Sequence, residues 1–434
     1  GFSCLSAHSR CSLFLLTRVH MDPVCNPYSP GAGTPPPELA GRDQLRERVR
    51  QSIGGIRVGR PAKSVILVGV RGVGKTVLLN QMLRDAEASG NLAVYVESSE
   101  YRSLPAILAP QLRLALLRLS CIVPAKNAAI TGLRALAGFA KALEPKFSDL
   151  KVGIDYEAEA ALAGKGDLEE EFTTLLTKLG EAAKAAHTVL VIFVDELQNV
   201  AEEQLAALIA ALHRVSRLIL PVALVGAGLP QLRHPAGHVK NHAKRLFDYL
   251  EVGSMEPHQT RLAFVKPAEA EGVTVDSEAA DMVAHLTRGY PYFIQEWGSH
   301  VWDAGQNNHI TLADVQKASG HVIAALDEGF FRVRLDRMTV AEHIYLRAMA
   351  SLGEGPHRSG DIAASLGRTS RSLTSIRNSL ISKGMIWSPP HNGAAFTAPL
   401  FDLYMCRIMP GDSWRSSLPR ADGIFCPPEE GSDA

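Results

Sequence analysis

Lys75 and Thr76 close the run Gly69-Val70-Arg71-Gly72-Val73-Gly74, and two acids, Asp195 and Glu196, close the apolar run Val189-Leu-Val-Ile-Phe-Val194. Glycines at 69, 72 and 74 let the backbone curl until successive N–H groups point inward, and a helix opening at Lys75 would add its positive end. Such a cradle suits phosphate oxygens. Lys75 can then reach β- and γ-phosphates, Thr76 can set its hydroxyl on Mg²⁺, and Val77 ends the stretch that contacts nucleotide. Asp195 would hold the same ion through water, while Glu196 would orient or deprotonate an attacking water. Taken singly, each signal has a plainer reading: a glycine-rich turn with an incidental lysine, and acids that end a strand as solvated turn residues. Together they favour phosphate chemistry.

The elements around these residues must hold them in register. Ser64-Val-Ile-Leu-Val68 is a β-branched apolar run that leads straight into the loop, and Leu79, Met82, Leu83 and Ala86 recur afterwards at helical spacing. The run 189–194 is apolar throughout, as expected of a central parallel strand buried on both faces. Its carboxyl end is where ligands bind in open α/β sheets. Further strands are expected at 92–96 and 218–225, and helices at 43–52, 104–119, 128–143, from Asp167 onward, and 201–217. Residues 146–165 read as loop. After Val225 comes Gly226-Ala-Gly-Leu-Pro230, with no polar residue aimed at a terminal phosphate. Arg245 lies in a stretch, 241–249, read as helical before a weak strand at 250–252. It could reach a neighbour's γ-phosphate as an arginine finger or make a surface ion pair. From 259 to 331 the pattern is helical, broken at Thr287-Arg-Gly-Tyr-Pro291.

A chain of 434 residues is long enough for two or three domains. Forty-five basic residues balance forty-five acidic ones, so no global field draws the chain to nucleic acid, and any such binding must be local. The six cysteines, Cys4, Cys11, Cys25, Cys121, Cys406 and Cys426, have no metal-site or redox spacing. A reduced, cytoplasmic chain without a membrane span is the simplest expectation. Met21 stands before a plausible start of the protein proper, and residues 1–20 read as an upstream extension.

Loop 69–76, the Asp195-Glu196 pair, the upstream Gly41-Arg42 and the break at Gly289-Tyr-Pro291 together resemble an AAA+ ATPase, above all the branch related to origin-recognition-complex proteins and the neighbouring STAND signalling ATPases. The resemblance spans about residues 37 to 331. It implies a P-loop NTPase fold of class α/β, a three-layer αβα core with a parallel sheet and an all-α lid. It also implies ATP and Mg²⁺ as cofactors, with a nucleotide-dependent homo-oligomer as an option. By the same likeness Gly41 and Arg42 would lie near the adenine, Pro291 near base or ribose, and Arg288 would be the lid arginine that senses nucleotide state. Two departures stand out. The missing polar residue after Val225 points to slow hydrolysis, and the long stretch between Thr76 and Asp195 exceeds a minimal core.

From Thr339 the character changes. Helices at 341–352, 359–366 and 370–383, followed by short strands at 385–387 and 395–397, look like a winged helix-turn-helix. On its third helix Arg371, Ser375, Asn378 and Ser382 share one face, opposite Leu373, Ile376, Leu380 and Ile381. Arg368, Arg371 and Lys383 would form a local basic patch for double-stranded DNA. The expected domains are a non-globular lead-in at 1–37, an ATPase core at 38–255 with a helical insertion at about 101–170, a helical lid at 256–335, a winged helix at 336–409 and a flexible tail at 410–434. The functional expectation is a nucleotide-dependent switch that hydrolyses ATP slowly and binds DNA through the winged helix. The alternative is a signalling scaffold whose winged helix docks protein and whose ATP is structural.

Overall fold

The computed structural model describes residues 21–31, 40–60, 62–149, 167–233, 246–389 and 393–417. Its first part runs α1 (Asp43–Arg57), β1 (Ser64–Val68), α2 (Lys75–Ala88), β2 (Leu92–Glu97), α3 (Leu104–Ser120), α4 (Lys126–Leu143), α5 (Leu168–Ala185), β3 (Leu190–Asp195), α6 (Glu202–Arg217), β4 (Val222–Gly228) and β5 (Phe247–Glu251). The five strands form one parallel sheet in the order β2-β3-β4-β1-β5. The two-residue period of a strand sorts its side chains between two cores. Ile66, Val68, Ile192 and Val194 face α3 to α6. Val65, Leu67, Val191 and Phe193 face α1 and α2. This is a three-layer αβα arrangement, and each fully buried Val, Ile or Leu contributes about 1.5–3 kcal/mol.

The expected strand at 218–225 starts at Val222 and the weak strand at 250–252 is longer and earlier, Phe247–Glu251. Residues 247–249, read from sequence as helix, are extended because they pair with β1 in the register Ser64↔Phe247 and bury Phe247 against the core. A hydrogen-bonding edge outweighs local propensity here. Among the described residues no single helix is long and apolar enough to cross a membrane; the apolar pair Leu104–Ser120 and Val123–Leu143 is bent by 120°.

The helices α7 (Pro257–Ala270), α8 (Ser277–Thr287), α9 (Pro291–Ala304) and α10 (Leu312–Leu326) follow, the last running into a π-helical segment, Asp327–Arg332. Then come α11 (Val340–Ala350), α12 (Ser359–Ser365) and α13 (Thr374–Ser382), with the short strands His357–Arg358, Ile386–Trp387 and Gly393–Phe396, and finally α14 (Phe401–Ile408). Those three strands form an antiparallel sheet with Gly393–Phe396 in the middle.

Residues 21–31 and 410–417 are more folded than their composition suggests. Residues 21–31 fall within the expected non-globular lead-in, yet Tyr28 is only 3% exposed, stacks on Phe264 and donates its hydroxyl to the Phe264 carbonyl. The Trp302 indole N–H donates to the Asp22 carbonyl at 3.0 Å. An aromatic residue with a satisfied polar tip is enough to anchor a proline-rich segment. At the other end, the expected flexible tail begins with a packed turn. Trp414 is buried, with the Arg347 guanidinium 5.0 Å from its ring centre, and Arg347 Nε also donates to the Met409 carbonyl at 2.8 Å.

Candidate functional site

The loop leaving β1 is shaped by its glycines. Gly69 donates its N–H to the Gly228 carbonyl at 3.2 Å, tying β1 to the end of β4, and a Cβ at this position would fall 2.2 Å from the Val252 carbonyl oxygen. Gly72 and Gly74 take φ values of +78° and +83°, a region costly for any residue with a Cβ. Gly74 is the N-cap of α2, so the N–H groups of Lys75, Thr76 and Val77 have no carbonyl one turn behind them. Their free N–H groups and the helix dipole make the concavity anion-seeking. Lys75 arches back over the loop and donates Nζ to the Val70 carbonyl at 2.9 Å. Only 7% of Lys75 is exposed, and burial pushes its ammonium down to about 8, against the pull of the Glu196 and Asp195 carboxylates.

The acids sit at the carboxyl end of β3. Asp195 is 1% exposed. Burial raises its carboxyl above the usual range, opposed by a hydrogen bond with the Thr76 hydroxyl. Its Oδ1 accepts the Glu196 N–H at 2.8 Å, and the Tyr95 hydroxyl donates to Oδ2 at 3.4 Å. Glu196 adopts φ +52°, which turns the chain sharply out of the strand. The Gln198 side-chain amide donates to the Glu196 carboxylate, and its Oε1 accepts the Leu229 N–H at 3.0 Å. Glu97, in register with Asp195 at the end of β2, has its carboxyl raised by burial and by the charges of Asp195 and Glu196.

Thr76 and Asp195 fit an Mg²⁺ ion. Such an ion keeps most of its waters and takes one or two protein ligands beside the phosphates, so it needs no all-protein cage. Among the described residues no cluster of three acid, His or Cys side chains is arranged as one.

The remaining expected residues are placed differently from one another. Arg42 is buried and donates Nη2 to the Gly253 carbonyl at 2.7 Å and to the Val73 carbonyl at 3.3 Å. It braces the loop from behind. Gly41, at φ +71°, lies where a Cβ would strike the Gln259 side chain. The Pro291 ring lies 3.8 Å from the place a Cβ on Gly74 would take, so it touches the phosphate loop itself. Arg288, at φ +48°, pairs with Glu354 at 3.1 Å, an interaction that commits it to the C-terminal part of the chain. Arg245 lies outside the described residues. Of the three basic residues expected to meet DNA, Lys383 is spent on Glu342, donating Nζ to both carboxylate oxygens at 2.7 and 2.9 Å. Arg368 has an interaction within the fold, and Arg371 is exposed.

Sequence reasoning missed several residues at this site. Tyr95, Glu97 and Gln198 stand beside the acids, and Gln198 brings an amide to the end of β4, where the sequence itself offers no polar residue. The space left by Gly228 admits it: a Cβ there would lie 2.6 Å from Gln198 Oε1. The phosphate loop is also held from the far end of the chain. Tyr292 donates its N–H to the Gly72 carbonyl at 3.2 Å, and Arg71 donates its N–H to the Thr397 carbonyl at 2.7 Å. No spacing signal marks these hydrogen bonds in the sequence.

With this geometry in view, comparison with known proteins gives two family matches: residues 38–225 match the AAA ATPase domain, and residues 328–405 match a domain of unknown function (DUF8462). No curated protein matches the chain. Among solved structures, a Walker-type ATPase of Pyrococcus abyssi is 16% identical, with a TM-score of 0.50 over 85% of this chain and 96% of that one. The Aeropyrum pernix ORC1 protein, solved in complex with DNA, is 16% identical with a TM-score of 0.43, covering 86% of this chain and 94% of its own. Cdc6p from Pyrobaculum aerophilum has the same identity and TM-score, over 89% and 97%. The fold is the P-loop NTPase fold of the AAA+ type.

Proposed function

We propose that the AAA ATPase domain binds ATP with Mg²⁺ at residues 69–77 and that the chain is a nucleotide-dependent switch. The observation that carries this reading is the convergence of Lys75, Thr76, Asp195 and Glu196 at the carboxyl end of the sheet, beside the free N–H groups that open α2. In this reading the loop N–H groups and Lys75 hold the phosphates. Thr76 and Asp195 would hold the ion, which would offset phosphate charge. Glu196, steadied by Gln198, takes a proton from the attacking water.

The finer reading divides the chain into a core at 38–255, a lid at 256–335 and a winged helix at 336–409 that contacts double-stranded DNA through Arg371. It is supported by α12, a turn and α13, followed by antiparallel strands, and by the exposure of Arg371 in the 3-10 turn that precedes α13. A second reading, a scaffold whose C-terminal part docks protein, is favoured by the internal use of Lys383, which thins the basic patch.

The test is nucleotide binding by calorimetry, together with size analysis with and without ATP and Mg²⁺. Wild type is expected to bind ATP, and Lys75→Ala to lose it, because the loop directs no other ammonium at the terminal phosphates. Equal affinity in the two proteins would sink the nucleotide reading. A change of mass on adding nucleotide would support the switch.

A further inference from the structure

The segment between Glu100 and Glu144 holds six basic residues, Arg102, Arg113, Arg118, Lys126, Arg134 and Lys141, and no acidic one, in a chain of zero net charge. It is also strongly apolar, and it folds as α3 and α4 joined by a short 3-10 turn, Val123–Ala125. The inner sides of both helices are taken up by the core: Leu108, Leu112, Leu116, Leu133, Leu136 and Phe139 are at most 1% exposed. The two helices have the apolar composition of a bent membrane segment, but with these faces packed they are not free to cross a bilayer.

The corner between them is different. Cys121, Ile122, Val123 and Pro124 form an unbroken exposed run, in which Val123 is 87% and Ile122 40% exposed. Leu114, one turn before Arg118 on the same side of α3, is also exposed. Contiguous apolar side chains left in water mark a place of interaction. Cations frame the corner: Arg118 in the last turn of α3 and Lys126 at the first position of α4 are exposed, and Arg134 and Lys141 follow two turns apart on the outer side of α4. Among the described residues none of these four makes an ion pair. Because α3 starts just past the carboxyl end of β2 and runs about 25 Å from there, the corner stands well away from the phosphate loop.

We propose that this corner docks the chain on an anionic lipid surface. Ile122 and Val123, with Leu114 behind them, enter the boundary between headgroups and acyl chains, while Arg118 and Lys126 stay among the lipid phosphates and carboxylates. Long basic side chains suit this position, since their stems lie along apolar surface and their charged heads stay wet. The absence of any acid between Glu100 and Glu144 removes the local repulsion that an anionic surface would otherwise meet. A nucleic acid would satisfy the cations but leave the aliphatic side chains in water, so the combination favours lipid. The chain then lies on the membrane and does not cross it. The corner shares no residue with the phosphate loop, so this inference stands apart from the nucleotide reading.

The experiment floats the full chain with vesicles of phosphatidylcholine alone or of an equal mixture with phosphatidylserine, at low and at physiological salt. Wild type is expected to float with the mixed vesicles and hardly at all with phosphatidylcholine, and added salt to weaken the binding. Arg118→Gln with Lys126→Gln should lower the affinity about fivefold for each cation removed. Ile122→Ser with Val123→Ser should lower it about tenfold or more, while Val123→Trp should raise it. All four positions are exposed, and thermal unfolding unchanged from wild type shows that each variant is folded. Failure of wild type to bind the mixed vesicles overturns the proposal. So does a loss confined to the charge variant, which would make the corner a site for another polyanion such as nucleic acid. A wild-type dimer that Ile122→Ser with Val123→Ser dissociates would show that a second copy covers the corner, and overturns it as well.

Discussion

Glu342 shows how one buried residue decides the character of a surface. Its carboxylate accepts from Lys383 Nζ, from the Ser379 hydroxyl at 2.7 Å and from the Thr339 N–H at 2.7 Å, stapling α13 to the start of α11. Burial alone would raise its carboxyl, but these donors outweigh it and hold the group down at about 2, against an ordinary 4.5. A depressed carboxyl stabilises the folded state above its unfolded value, so this contribution is complete above about pH 4.5 and drains away as pH falls toward 2. Glu342→Gln is expected to cost about 1–3 kcal/mol near neutral pH and to flatten the acid limb of the stability profile. Denaturant titrations at pH 7 and pH 3 measure this. An unchanged difference between the two pH values would mean that other carboxylates dominate.

At the scale of elements, the loop between α8 and α9 sets how these helices meet the phosphate loop. Gly289 takes φ +73°, accepts the Met255 N–H at 2.7 Å through its carbonyl, and leaves no room for a side chain: a Cβ would fall 2.2 Å from the Met255 carbonyl oxygen. Of the next residues, Pro291 lies beside Gly74 and Tyr292 donates its N–H to the Gly72 carbonyl. Gly289→Ala should therefore cost about 1–3 kcal/mol through backbone strain and push α9 away from the loop. Thermal unfolding reads the first effect and nucleotide affinity the second. A variant that matches wild type in both would show that the 253–255 segment yields freely. The break at 287–291, which the resemblance ties to the nucleotide's base or ribose, thus packs between α8, α9 and the phosphate loop.

Among the described residues, helices α7 to α10 and the C-terminal part share one apolar core. Phe331 stacks on Tyr404 with ring centres 5.0 Å apart and meets Phe401 edge-on at 5.8 Å, while Arg407 pairs with Asp327. Together with the hydrogen bond from Arg71 to Thr397, this seats the C-terminal part against the phosphate loop. A surface placed there can respond to nucleotide without a flexible linker. If that surface binds DNA through Arg371, removing one cation from one phosphate should lower the salt slope of binding by about one unit. Arg371→Ala is accordingly expected to weaken duplex binding and leave ATP affinity intact. Fluorescence anisotropy across a salt series measures it, and an absence of duplex binding by wild type at low salt would favour the protein-docking reading.

The sequence by itself determined the parts of this protein whose physics is local. A β-branched run, three glycines at set spacing and a helix opening at Lys75 specify a strand, a tight turn and a helix, and a wholly apolar strand ending in Asp195 and Glu196 is legible because burial on both faces excludes polar residues. Helices with regular apolar spacing, such as α3 and α4, were legible for the same reason. Only the tertiary structure decided which cations are free and which are spent. Lys383 and Arg42 look alike among the basic residues of the sequence, but one is held by Glu342 and the other by two backbone carbonyls. Tyr95 and Gln198 carry no spacing signal, since they reach the acids from separate elements and owe their places to strand order and an absent glycine side chain. Periodicity reports which face of an element is buried, and partners in space follow only once the elements are packed.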